Sequence, residues 1–126
     1  MKKVWIVDDD QDMVGAIRLM VKMLDYEERH FFSARLAAQT LLGGECPDLF
    51  ILDINMPEVS GLDFLEFLRR RKDWKDLPVV MLSTEASDVT VDKAMAIGAD
   101  AYVTKPVALE ELEKALKKAF AAHGRQ

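Results

Sequence analysis

Three runs of almost unbroken apolarity, Val4-Trp5-Ile6-Val7, Leu49-Phe50-Ile51-Leu52 and Pro78-Val79-Val80-Met81-Leu82, set the strongest limit on what this chain can become. Each has the length of a strand and lacks the polar alternation that a half-exposed strand would show. Both of its faces must therefore be covered, as happens in a parallel sheet with helices above and below. His30-Phe31-Phe32 and Ala101-Tyr102-Val103 read as two further strands.

The segments between the strands carry helical spacing. Val14, Ile17, Val21 and Leu24 recur on one face, as do Leu62, Leu65 and Leu68, and Leu109, Leu112, Leu116 and Phe120, with Leu36, Leu41 and Leu42 less regular. Residues 87–97 form the weakest helix, because Val89, Thr90 and Val91 are β-branched and lose rotamer freedom there. Gly43-Gly44 and Gly98 stand where helices should stop, and Pro47, Pro57, Pro78 and Pro106 fall in connections or at element starts. A βα unit repeated five times, joined by right-handed crossovers, predicts a three-layer, doubly wound α/β sandwich. At 126 residues the chain has the size of one domain.

In such sheets chemistry collects at the carboxyl ends of the strands, near the switch in strand order. Asp8-Asp9-Asp10 follow the first strand, Asp53 the third, Ser83-Thr84 the fourth and Thr104-Lys105-Pro106 the fifth. Carboxylates gathered at one edge repel one another unless a cation offsets them, and a set of Asp oxygens suits Mg²⁺. A lysine in the same cleft can pair with Asp53 or with an added phosphoryl group, whose oxygens a hydroxyl can hydrogen-bond.

On these residues the chain resembles, over essentially its whole length, the receiver domain of two-component response regulators. The pattern that carries the resemblance is an acidic pair (Asp8, Asp9), an acceptor Asp followed by Met-Pro and Gly (Asp53, Met56, Pro57, Gly61), a hydroxyl after the fourth strand (Ser83) and Lys-Pro after the fifth (Lys105, Pro106). The resemblance implies a flavodoxin-like fold with strand order 2-1-3-4-5. It implies that Asp53 accepts a phosphoryl group, and that Mg²⁺ is held by Asp9 and Asp53 directly, by Asp8 through water and by the backbone carbonyl of Asn55. It further implies that Ser83, Lys105 and Tyr102 form the switch. Asn55 and Glu85 look like the pair that lines the path of the hydrolytic water in chemotaxis-type single-domain regulators, whereas Thr84 is bulkier than the Ala or Gly many relatives carry. The implied partners are a sensor histidine kinase or a histidine phosphotransfer protein and a downstream protein target, with the chain a monomer or a phosphorylation-dependent dimer. The receiver domain is expected over residues 1–122, with 123–126 a short tail and no output domain in the chain.

Taken singly, each feature has an ordinary explanation. Asp8 to Asp10 could cap a helix, Asp53 could sit in a turn, Ser83 could end a strand, Lys105-Pro106 could be an exposed turn and Tyr102 could simply pack. Their convergence on one edge is what those explanations lack. His30, His123 and Cys46 are expected to have no role, Trp5 to pack against a helix, and Trp74 to be partly exposed. Asp8-x-Asp10-x-Asp12 begins like a calcium loop, but Met13 and Leu19 occupy the positions that need Gly and Glu. No G-x-x-x-x-G-K-[ST] or G-x-G-x-x-G occurs, and Asn55 replaces the second Asp of a haloacid-dehalogenase-type phosphatase. One alternative remains, an adaptor that keeps the fold and acts unphosphorylated. A net charge of -5 argues against binding nucleic acid or anionic membrane. The single cysteine excludes an internal disulfide, the apolar run after Met1-Lys2-Lys3 is too short for a signal peptide or membrane span, and the expected compartment is the cytoplasm.

Overall fold

The structure, a computed structural model, describes residues 1–85 and 87–125. Five strands alternate with five helices: β1 (Lys3–Val7), α1 (Gln11–Met23), β2 (Glu27–Phe31), α2 (Ala34–Leu42), β3 (Leu49–Asp53), α3 (Gly61–Arg69), β4 (Val79–Ser83), α4 (Asp88–Ile97), β5 (Ala101–Thr104) and α5 (Leu109–Ala122). All strand pairs are parallel and the sheet order is β2-β1-β3-β4-β5, the flavodoxin-like arrangement.

The apolar runs are continuous because alternate residues serve opposite faces. Val4, Ile6, Leu49, Ile51, Val80 and Leu82 pack with Val14, Ile17 and Val21 of α1 and with Leu112, Leu116 and Phe120 of α5. Trp5, Val7, Phe50, Leu52, Val79 and Met81 pack with α2, α3 and α4. The apolar stripe of α5 is thus consumed by its own sheet.

Two elements differ from the sequence reading. β2 begins at Glu27 rather than at His30, and Phe32 lies beyond it, exposed. It is an edge strand in which Glu27 to His30 alternate between exposed and half-buried and Phe31 alone is buried, so its ladder with β1, from Lys3↔Glu27 to Val7↔Phe31, leaves little apolar signal. In α2 the buried residues are Ala34, Ala37 and Leu41, whereas Leu36 and Leu42 face solvent. Small side chains let that helix lie close to the sheet, which hid the stripe. Trp5 packs edge-on and tilted against the strand neighbours Phe50 and Phe31, within the cluster that includes α2, and Trp74 is half-buried beside Phe67.

Helix starts are fixed locally. Asp10, Ser33, Ser60 and Ser87 accept hydrogen bonds from backbone amides in the first turns of α1, α2, α3 and α4. At the opposite end of the sheet, the half-buried Arg69 guanidinium donates to the carbonyls of Gly98, Lys75 and Leu77 and to Asp100. His123 lies within 3.0 Å of both Asp100 oxygens, and Arg125 donates to the Asp48 carbonyl. The expected tail is therefore anchored as far as Arg125, and His123 has a structural partner. Among the described residues, no helix is long and apolar enough to cross a membrane.

α4 is the least attached helix: Ala94 is its one buried residue, against four in α3 and five in α5. Local opening should follow buried contacts. In native-state hydrogen exchange, amides of α4 are expected to exchange faster than the central amides of α3 and α5; equal protection would show that propensity and burial do not set its stability.

Candidate functional site

The order β2-β1-β3 places the switch in winding between β1 and β3, where the loops after these strands part to opposite faces and leave a crevice. Asp8 and Asp9 leave the end of β1 there and Asp53 is the last residue of β3. One carboxylate oxygen from each of Asp8, Asp9 and Asp53 lies within 4.8 Å of the others. Asp8 and Asp53 are buried and Asp9 is partly exposed, so the cluster has a closed floor and an open mouth. Asp10 does not join it. Its carboxylate caps α1, so the ordinary explanation of the acidic triplet holds for one residue of the three.

Lys105, after β5, reaches across β4 into the same crevice. Its Nζ lies 2.9 Å from Asp8 Oδ2 and 3.5 Å from Asp53 Oδ2. Burial alone would depress the ammonium, but Asp8, Asp53 and Asp10 outweigh it and hold its pKa above the usual value. Asp53 is affected in the opposite sense. Burial, then the neighbouring Asp8 charge, raises it from 3.8 to about 7, against the pull of Lys105 and the Asn55 amide. Asp8 Oδ2 is buried, and among the described residues no hydrogen bond of proper geometry reaches it despite the nearby ammonium. A buried carboxylate oxygen without a directed donor, beside two further carboxylates, belongs to an all-oxygen ligand set that suits a hard divalent cation.

The hydroxyl of Ser83, fully buried at the end of β4, accepts from Asn55 Nδ2 at 3.4 Å and from the Glu85 amide at 3.0 Å. Its own O–H remains free to donate. Thr84 is exposed. The Glu85 carboxylate accepts from the Ser87 and Thr90 hydroxyls at the start of α4, and the Tyr102 hydroxyl donates to the Glu85 carbonyl at 2.6 Å. Asp8, Asp9, Asp53 and Lys105 thus meet directly, Asn55 and Ser83 flank them, and Tyr102 and Glu85 lie one step out, on the loop toward α4.

Two contributions escaped the sequence reading. A Cβ on Gly61 would clash with the Asp53 carbonyl oxygen and lie 2.8 Å from its carbon, so the glycine lets the start of α3 abut the end of β3. The Met-Pro…Gly spacing fixes where this contact falls. The second is His30, whose Nε2 lies 2.8 Å from the Asp8 carbonyl oxygen. It shares a sheet face with Ile6, its register partner, and hence with Asp8.

The sequence pattern of the Response regulator receiver domain matches residues 4–117. Chemotaxis protein CheY-3 of Vibrio cholerae is 30% identical over 118 residues, covering 94% of this chain and 91% of that protein. Transcriptional regulatory protein BasR of Escherichia coli is 35% identical over 126 residues, covering 98% of this chain and 54% of that protein, and Protein RcaC of Microchaete diplosiphon is 34% identical over 110 residues, 87% of this chain and 17% of its own length. The chain therefore spans about half or less of the length of these last two relatives. Among solved structures, a putative response regulator from Chloroflexus aurantiacus superposes with TM-score 0.89 at 28% identity, covering 95% of this chain and 98% of that one. Chemotaxis protein CheY4 of Vibrio cholerae gives 0.86 at 29%, with 94% and 98% covered. The chain belongs to the response regulator receiver domain family. It is a signalling module of two-component systems rather than an enzyme, and its acidic pocket is formed by Asp8, Asp9 and Asp53 with Lys105.

The raised Asp53 pKa has a stability consequence. A carboxyl whose folded pKa exceeds its unfolded value binds its proton more tightly when folded, so stability falls as pH rises from 3.8 toward 7 and the loss persists above. In chelator-treated buffer at pH 8, Asp53→Asn is expected to be more stable than the parent by ~1–2 kcal/mol, after allowance for screening at the open mouth of the pocket. The difference should vanish near pH 4. Urea unfolding across this range checks it, and a pH-independent difference would mean that repulsion in the pocket is not its cause.

Proposed function

We propose that the chain is a phosphorylation-activated switch that takes a phosphoryl group onto Asp53 from a phosphohistidine of a sensor histidine kinase or a histidine phosphotransfer protein. The observation that carries the reading is a buried, repelled carboxylate at the end of β3, facing two other carboxylates and one ammonium, in a member of the receiver family.

An Asp53 oxygen forms the bond to phosphorus while the P–N bond breaks, its electron pair leaving with the imidazole. Mg²⁺ fits the site: Asp9 and Asp53 would hold it directly, Asp8 through water and Asn55 through its backbone carbonyl. When bound it supplies charge compensation for the phosphoryl oxygens. Lys105, already 3.5 Å from Asp53, pairs with the added group. Ser83, which accepts two hydrogen bonds through its oxygen, has one proton to donate to that group. Any movement of Ser83 is felt at Glu85, whose amide it binds and whose carbonyl holds Tyr102. The surface altered is the one around α4 and β5, and its reader is a downstream protein. On this reading the chain acts in the cytoplasm, as a monomer or a dimer formed on phosphorylation.

Asn55 and Glu85, the pair on which the chain resembles chemotaxis-type regulators, support a short-lived phosphoryl group, and the bulk of the exposed Thr84 would restrict access of donor or water.

Incubation with acetyl phosphate and Mg²⁺ is expected to add one phosphoryl mass to the intact protein, and to add none to Asp53→Asn or in the presence of chelator. A folded protein that takes no adduct under any condition would instead act as an unphosphorylated adaptor. The adduct should decay faster in Thr84→Ala and at an altered rate in Glu85→Ala; unchanged decay in both would remove the tuning role.

A further inference from the structure

We propose that His30 is a positioning residue of the acidic pocket: its imidazole fixes the Asp8–Asp9 peptide and thereby the direction in which Asp9 presents its carboxylate. The inference rests on the functional reading above and adds a residue from β2, a strand outside the pocket.

The contact is a hydrogen bond of 2.8 Å between Nε2 and the Asp8 carbonyl oxygen. A carbonyl only accepts, so Nε2 carries the hydrogen, whichever charge state the ring adopts. The bond fills a gap in the ladder. The Asp8 amide donates to the Phe31 carbonyl at 3.1 Å, and the Glu27 amide donates to the Lys2 carbonyl at the other end of the same register. Continued by two-residue steps, that register would offer the Asp8 carbonyl the Ser33 amide. β2 stops at Phe31, however, and Ser33 has turned away to cap α2. The imidazole supplies the donor in place of the missing amide.

Asp9 needs that help more than its neighbours do. The Asp8 carboxylate is held by the Asp10 amide at one oxygen and faces Lys105 at the other. Asp53 is held by Lys105 and the Asn55 amide. Among the described residues no hydrogen bond or ion pair reaches the Asp9 carboxylate, so its aim is set by its rotamer and by the preceding peptide plane, whose oxygen His30 holds. The ring is itself braced, since Phe32 packs edge-on against it at 4.2 Å between centroids. This gives the exposed Phe32 a task as a cover over a half-buried imidazole.

The test compares the parent with His30→Phe, which keeps a ring beneath Phe32 and loses the donor, and His30→Gln, whose amide nitrogen can stand near the place of Nε2. Two quantities are read on each folded protein at one fixed pH: the backbone ¹³C′ and ¹⁵N shifts of Asp8 and Asp9 without metal, and the dissociation constant for Mg²⁺ alone, from the displacement of the Asp9 and Asp53 resonances on titration. His30→Phe is expected to move the Asp8 and Asp9 resonances and to weaken Mg²⁺ about tenfold, the size typical of losing a group that orients a ligand, and His30→Gln to recover most of both. Unmoved Asp8 and Asp9 shifts in His30→Phe overturn the proposal, as does unchanged Mg²⁺ affinity. Loss in both variants alike, with no recovery by the amide, also overturns it, because a donor near the place of Nε2 would then not be what the pocket needs. A parent protein that binds no Mg²⁺ overturns the functional reading and this role with it, and is recognised before any substitution is made.

Discussion

Asp8 and Asp53, two carboxylates buried from water, share the single ammonium of Lys105, and the rest of the molecule is arranged to make that tolerable. Removing a charge from water costs several kcal/mol unless a partner of opposite sign is close. Here Asp9 adds a third carboxylate at the mouth, so one positive charge faces three negative ones. The excess must be met by a proton, which is why Asp53 holds its own so tightly, or by a cation. The apolar strands serve the same constraint: β1 and β3 carry the carboxylates and β4 lies between them and Lys105, in a frame whose strands cannot separate without exposing both faces of the sheet.

How much of this could be read from the sequence depended on which physical signal each part leaves. β1, β3 and β4 announce themselves because burial on both faces forbids polar residues, and the carboxylates after them stand out against that background. β2 leaves no such trace, since an edge strand needs only ladder partners, and α2 hides its inner face behind alanines. The pocket residues were legible as a set because topology sends every strand's carboxyl end to one edge. The role of Gly61 was visible only as a spacing, because the reason for it is a backbone approach that no side chain records. His30 was read as inert for a related reason. Its partner is a carbonyl, a group that every residue has, so nothing in the sequence marks the pairing. Glu85 was legible as a neighbour of the pocket, but its carboxylate's engagement with Ser87 and Thr90 depends on how the β4–α4 loop turns.

The pocket and the start of α4 are joined by very few atoms. Ser83 is tied to Glu85 through one amide, Glu85 to Tyr102 through one carbonyl, and Glu85 to α4 through two hydroxyls. These are bonds to loop and helix-start groups that have other possible partners, including water. By contrast α3 is wedged against β3 at Gly61, so the helix beside the pocket on that side has no slack.

Arg69 gives the loosely held side a fixed point. Its guanidinium grips the Gly98 carbonyl with two nitrogens at the C-terminal end of α4, close to where Ala94 is buried, while among the described residues the Ser87 end is tied by the Glu85 carboxylate of its own loop. A rod clamped at one end behaves as a lever. Ten residues of helix are about 15 Å long, so a tilt of about 10° about Gly98 carries the far end through roughly 2.5 Å while the clamp itself hardly moves. A displacement at the free end would thus be geometrically separated from the core packing at the other. The helix can change its exposed outline without the sheet beneath it having to repack.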